Sequence, residues 1–104
     1  MQSNVELVKE RIKNWMDEDC RYYLYPVMSL LQAEVCERDE LLKDIDAMFQ
    51  VWEETVKSSG IDGYVKMVYL SEDGSEIGIG FGYKERGSSK FVPMHVIRIR
   101  KVYG

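Results

Sequence analysis

The side chains in this sequence that could carry chemistry are one histidine, two cysteines and eighteen carboxylates. A catalytic nucleophile needs a base within reach and a third group to orient that base. His95 lies in a strand-like stretch with no such partner beside it. Cys20 and Cys36 have a spacing that fits neither a metal pair nor a redox pair, and in a reducing compartment they read as small, semi-buried hydrophobes. With a single histidine and so few soft ligands near it, no metal site is expected. The carboxylates concentrate on helical stretches where solvent keeps them ordinary acids, whereas a pair poised for acid–base work needs apolar walls. The sequence therefore points away from an enzyme, and no cofactor is expected.

Residues 77–83 read Ile-Gly-Ile-Gly-Phe-Gly-Tyr. Strand side chains alternate between faces, so Ile77, Ile79, Phe81 and Tyr83 share one face and Gly78, Gly80 and Gly82 the other. Either something lies flat against the glycine face or that face is bare. Phosphate binding is not implied: a dinucleotide fingerprint needs G-x-G-x-x-G at a strand-to-helix turn, and here the glycines alternate strictly with no helix after them. Gly80-Phe81-Gly82-Tyr83 is similar to the sheet signature of RNA-recognition motifs, but that fold begins with a strand and alternates strands with helices, which this chain does not.

What remains is binding. Residues 1–60 carry a net charge of −6 and residues 61–104 a net charge of +2, within an overall −4. A net acidic domain argues against nucleic-acid binding by bulk charge. Glu40, Asp44, Asp46 and Glu53 recur at helical spacing and are the leading candidates for contact with a basic surface. Tyr22, Tyr23 and Tyr25 form an aromatic cluster suited to an interface, since a tyrosine ring buries area while its hydroxyl stays wet. Lys84, Arg86, Lys90, Arg98 and Arg100 form an alternative, anion-binding strip, whose bland explanation is protection of a sheet edge.

These residues must be positioned by two or three helices and three strands. Ser3 with Glu6 has capping-box spacing, and Val5, Val8, Ile12, Trp15 and Met16 make one apolar stripe, broken at Asp17-Glu18-Asp19. A second helix is expected over residues 25–35, with Pro26 in its first turn and Val27, Leu30, Leu31 and Val35 as its apolar positions; residues 21–25 could instead be a short extended piece. A third helix starts at an Asp39 cap, buries Leu41, Leu42, Ile45, Met48, Phe49, Trp52 and Val56, and ends at Gly60. The second and third helices could be one bent helix. Strands follow at residues 64–70, 75–83 and 91–103, with Asp73-Gly74 as a hairpin turn and Arg86-Gly87-Ser88-Ser89 as the next.

The expected fold is α+β: N-terminal helices (residues 1–60) packed on one face of a C-terminal three-stranded antiparallel β-meander (residues 61–104) in a single domain. Phe49 and Trp52 should cover the Ile77, Ile79, Phe81 face. No apolar run approaches the roughly 20 residues that span a bilayer, and residues 1–6 have no secretory pattern, so the cytoplasm is expected. The leading functional expectation is a small acidic protein-binding module, an inhibitor or adaptor of a basic nucleic-acid-binding enzyme of phage or mobile-element type. The alternatives are a nucleic-acid-binding module using the basic C-terminal strands, or a structural protein that homodimerises through its sheet.

Overall fold

The computed structural model describes residues 4–26, 34–85 and 87–103. Two helices, α1 (Val5–Trp15) and α2 (Arg38–Ser59), accompany a five-stranded antiparallel sheet. Its strands are β1 (Arg21–Pro26), β2 (Glu34–Cys36), β3 (Gly63–Leu70), β4 (Glu76–Lys84) and β5 (Phe91–Val102), in the spatial order β2-β1-β5-β4-β3. The fold is α+β as expected, and the meander β3-β4-β5 is present. The sheet, however, is wider than the expected three strands, because the N-terminal half contributes two more.

The expected helix over residues 25–35 is corrected at both ends. Tyr25 lies in β1 and pairs with Arg98, while Val35 lies in β2 and pairs with Tyr23. Its proposed interior positions Val27, Leu30 and Leu31 fall outside the described residues, as does Ser3. The tyrosine-rich run explains the outcome at the first end: aromatic residues fit a pleated, half-buried surface, and β5 offers a full partner from residue 97 to residue 102. The intervening β2 also removes the option of one bent helix. The capping residues shift as well. Asn4 and Glu37 occupy the N-cap positions, in place of Ser3 and Asp39. Gly60 closes α2 in the left-handed conformation, φ 71°, where a side chain would be strained.

Both helices lie on one face of the sheet. Val5, Val8, Ile12 and Met16 from the α1 segment and Leu41, Ile45, Phe49 and Trp52 from α2 share one core with Tyr22, Leu24, Cys36, Val65, Ile77, Ile79, Phe81, Ile97 and Ile99. Phe81 meets Phe49 at 5.3 Å and Trp52 at 6.0 Å between ring centroids, so the expected cover is in place. Each such buried side chain contributes roughly 1.5–3 kcal/mol.

Beyond packing, α1 is tied to the free edge of β3 by one side chain. The Asn4 carboxamide donates to the Val65 carbonyl and accepts from the Val65 N–H at 3.1 Å. A side-chain amide thus supplies the two hydrogen bonds that a neighbouring strand would make. At the far end of α1, Trp15 Nε1 donates to the Gly74 carbonyl at 2.7 Å, holding the helix against the β3–β4 turn. That turn is the expected Asp-Gly hairpin: the Gly74 N–H reaches the Ser71 carbonyl at 3.0 Å, and Asp73 Oδ1 accepts from Ser71 Oγ and from the Ser75 N–H and hydroxyl.

The glycine face of β4 points away from the helices but is not bare. A Cβ on Gly78 would stand 2.3 Å from the Tyr69 ring, and one on Gly80 would stand 2.9 Å from the Phe91 ring. Side chains of the sheet itself lie flat across the glycine row, and all three of its glycines are buried. At Gly82 the approach is by backbone, with a Cβ falling 1.9 Å from the Val92 carbonyl oxygen, where a bulge on β5 brings Pro93 opposite.

Two stability outcomes follow, measured by urea denaturation. Gly82→Ala costs more than Gly78→Ala, because the Tyr69 ring can swing aside and a strand carbonyl cannot; overpacking of this kind costs about 1–3 kcal/mol. Phe81→Ala, which empties the contact with Phe49 and Trp52, costs about 3–5 kcal/mol. Equal losses for the two glycine variants would contradict the backbone approach at Gly82.

Candidate functional site

The outer face of the sheet assembles residues that the sequence scatters. Register places Tyr25, Arg98, Gly78 and Tyr69 in one row across β1, β5, β4 and β3. The next row runs Val35, Tyr23, Arg100 and Glu76 across β2, β1, β5 and β4. The Tyr23 and Tyr25 rings stand 5.0 Å apart. The Arg98 guanidinium sits between two rings, 5.8 Å from Tyr25 and 5.6 Å from Tyr69, and Arg100 lies 6.0 Å from the Tyr23 ring. Farther along, Lys84 Nζ is 4.0 Å from the Tyr64 ring.

Glu76 ties the two rows together. One of its carboxylate oxygens accepts the Tyr25 hydroxyl and the other accepts the Tyr69 hydroxyl at 2.7 Å; Arg100 Nε lies 3.9 Å away. The Tyr25 hydrogen bond, then that of Tyr69, holds the Glu76 carboxyl below its ordinary value, with smaller help from Arg98 and Arg100. The Tyr69 phenol is pushed up, chiefly by burial and then by its bond to this carboxylate. The result is a lattice of rings and guanidinium groups with one carboxylate at its centre.

Of the aromatic cluster read from sequence, Tyr23 and Tyr25 belong to this face and Tyr22 does not. Tyr22 is 0 % exposed; it faces the helices, packs 6.0 Å from Trp15 and donates its hydroxyl to the Asp17 carbonyl. It is corrected from contact residue to core residue, because strand alternation turns it away from its two neighbours. Of the basic strip, Arg98 and Arg100 are on the lattice, Lys84 is beside it, Lys90 is exposed in the β4–β5 connection, and Arg86 lies outside the described residues. Nor does β5 need protection as a sheet edge, since β1 and β4 flank it.

The acidic residues of α2 do not form one face. A helix turns about 100° per residue, which puts Glu40 and Asp44 on one flank and Asp46 with Glu53 on the other. Contacts agree with this. Asp46 pairs with Lys9 of α1 at 3.3 Å, while Asp44 turns toward Glu34 and Cys36 of β2. Sequence reasoning missed Tyr69 and Glu76. Simple alternation from Val65 and Met67 would turn Tyr69 inward, and a bulge between Met67 and Tyr69 turns it outward over Gly78.

Among the described residues, one group could hold a metal ion: the ligand atoms of Glu34, Cys36 and Asp44 lie within 4.8 Å of one another. The Cys36 thiol is buried and pushed up to about 11, by burial first and then by Glu34, Asp44 and Glu40. A cation there would have to displace that proton. The hydrogen bond and charge of Asp44 also raise the Glu34 carboxyl above its ordinary value. Comparison with protein-family models, curated proteins and solved structures finds no match to this chain.

Two carboxylates should move stability in opposite directions with pH. Asp73, held down to about 2 by its bonds from Ser75 and Ser71, stabilises the fold above its unfolded value and loses that contribution as pH falls through its folded one. Asp73→Ala therefore lowers the urea midpoint at neutral pH, and the gap to wild type narrows on acidification. Glu34, with a raised value, stabilises when protonated and loses that contribution as pH rises. Glu34→Gln therefore raises the midpoint at neutral pH and leaves it little changed in acid; a lower midpoint at neutral pH would count against the Glu34–Asp44 repulsion.

Proposed function

We propose that this chain is a protein-binding module whose contact surface is the outer face of the sheet. The observation that carries the reading is the lattice of Tyr23, Tyr25, Tyr69, Arg98 and Arg100 on the face opposite α1 and α2. Tyrosine and arginine dominate the energetics of protein interfaces, and Glu76 bonds to Tyr25 and Tyr69 and approaches Arg100. Exposed aliphatic residues surround them: Val35 at 55 %, Val68 at 36 % and Val102 at 40 %. That mixture of aromatic, arginine and aliphatic side chains matches protein interfaces. The role is one of binding rather than catalysis, and an inhibitor or adaptor acting by occupying a partner's surface suits it.

Two other occupants suit the face less well. Single-stranded nucleic acid binds by stacking bases on aromatic rings, but here Tyr23, Tyr25, Tyr64 and Tyr69 each have a cation of the same chain over the ring. Pairing of two outer faces about a two-fold axis would set Arg98 and Arg100 of one copy against the cations of the other, and like charges across an interface cost several kcal/mol.

Site-specific photo-crosslinking tests the reading. A benzoylphenylalanine placed at Tyr23 should give nuclease-resistant adducts in an extract of the native cell, and these should disappear with Arg98→Ala plus Arg100→Ala. The same probe at Val51, exposed on α2, should give none. Adducts from Val51 alone would overturn the proposal, and nuclease-sensitive adducts from Tyr23 would return the face to nucleic acid.

A further inference from the structure

We infer that the partner is anchored by a carboxylate that seats on the Arg100 guanidinium, an inference that rests on the outer face being the contact surface. The two lattice arginines differ in what is left of them. Arg98 is half-buried between the Tyr25 and Tyr69 rings and is a positioning residue. The Arg100 side chain is 54 % exposed, and its ion pair among the described residues is a single long approach, Nε to Glu76 at 3.9 Å.

Glu76 approaches Arg100 through Nε alone and leaves its two terminal nitrogens ungripped. Both carboxylate oxygens already accept tyrosine hydroxyls. The terminal fork of Arg100 is thus open to an external acceptor. A guanidinium presents parallel N–H donors in one plane, which is the geometry that takes a carboxylate bidentately.

The neighbourhood specifies a carboxylate carried on a polypeptide. Along the row, Tyr23 separates Arg100 from the exposed Val35, and Val102 follows two residues on along the same face of β5. These apolar shoulders suit a peptide whose acidic side chain is flanked by aliphatic ones. The surrounding field has the matching sign. Lys66, opposite Gly80, Lys84, Arg98 and Arg100 lie on or beside this face; of the carboxylates near them, Glu76 is engaged by two tyrosines and Glu37 by Arg21 at 3.3 Å. The partner surface is therefore acidic, the reverse of the basic surface that the α2 carboxylates suggested.

Fluorescence anisotropy with defined probes tests this. A labelled peptide repeating Glu-Val-Ser should bind, more weakly as salt rises; its Lys-Val-Ser counterpart and a thymidine oligonucleotide of similar length should not. Arg100→Ala should weaken binding of the acidic peptide by about tenfold or more. Arg100→Lys, which keeps the charge and loses the fork, should weaken it nearly as much, while Glu53→Gln on α2 should change nothing. Thermal melts of both Arg100 variants confirm that they fold. Full affinity in Arg100→Ala, or tighter binding of the oligonucleotide than of the acidic peptide, overturns the inference. Should the acidic peptide fail to bind while crosslinks still form from Tyr23, the carboxylate anchor falls and the contact surface stands; should Tyr23 give no adducts, both fall.

Discussion

The strict alternation of β4 is the constraint on which the rest of the molecule depends. Its Ile77, Ile79 and Phe81 side chains bind the sheet to both helices within one core. Its glycines let the rings of Tyr69 and Phe91 lie down on the opposite side. Slipping the strand by one residue would exchange the two faces at once. The large residues would then meet the space that the rings fill, and the helices would face glycine. Core and outer lattice are therefore specified by the same seven residues. Because β4 is flanked by β3 and β5, its register fixes theirs as well.

Periodic features were legible in the sequence. The apolar stripes of α1 and α2, the Asp73-Gly74 turn, the Gly60 cap and the inward face of β4 all show a local period or a local turn signal, and each appears where expected. No helix among the described residues is long and apolar enough to cross a membrane. What failed to show was non-local. Val27, Leu30, Leu31 and Val35 have helical spacing, but Tyr25 and Val35 were claimed by strand partners, one of them far along the chain at Arg98. The extra residue in β3 reversed Tyr69 without any glycine or proline to announce it. Asn4 meets a residue 61 positions away, and no local pattern could indicate that.

Charge is arranged in depth rather than along the chain. The sequence suggested an acidic helical half and a mildly basic strand half, and the two layers of the fold keep that polarity. Within each layer, local pairing decides which charges are available to a partner. On α2 the carboxylates divide between Lys9 on one side and the β2 edge on the other. On the sheet, Arg98 is enclosed by rings while Arg100 stands clear. A count of charges could not have distinguished these two arginines, although they are only two residues apart.

The Asn4 clamp gives the fold a chemical weak point. Its amide nitrogen is the donor facing the Val65 carbonyl, and hydrolytic deamidation would replace that donor with an oxygen. The Val65 carbonyl would then face an acceptor at the rim of β3 and lose its partner, while the Val65 N–H would keep its bond to the new carboxylate; that one carbonyl would be left open to another molecule's strand. Ageing of a single side-chain amide would in this way undo one of the two bonds that cover the rim of β3 at Val65.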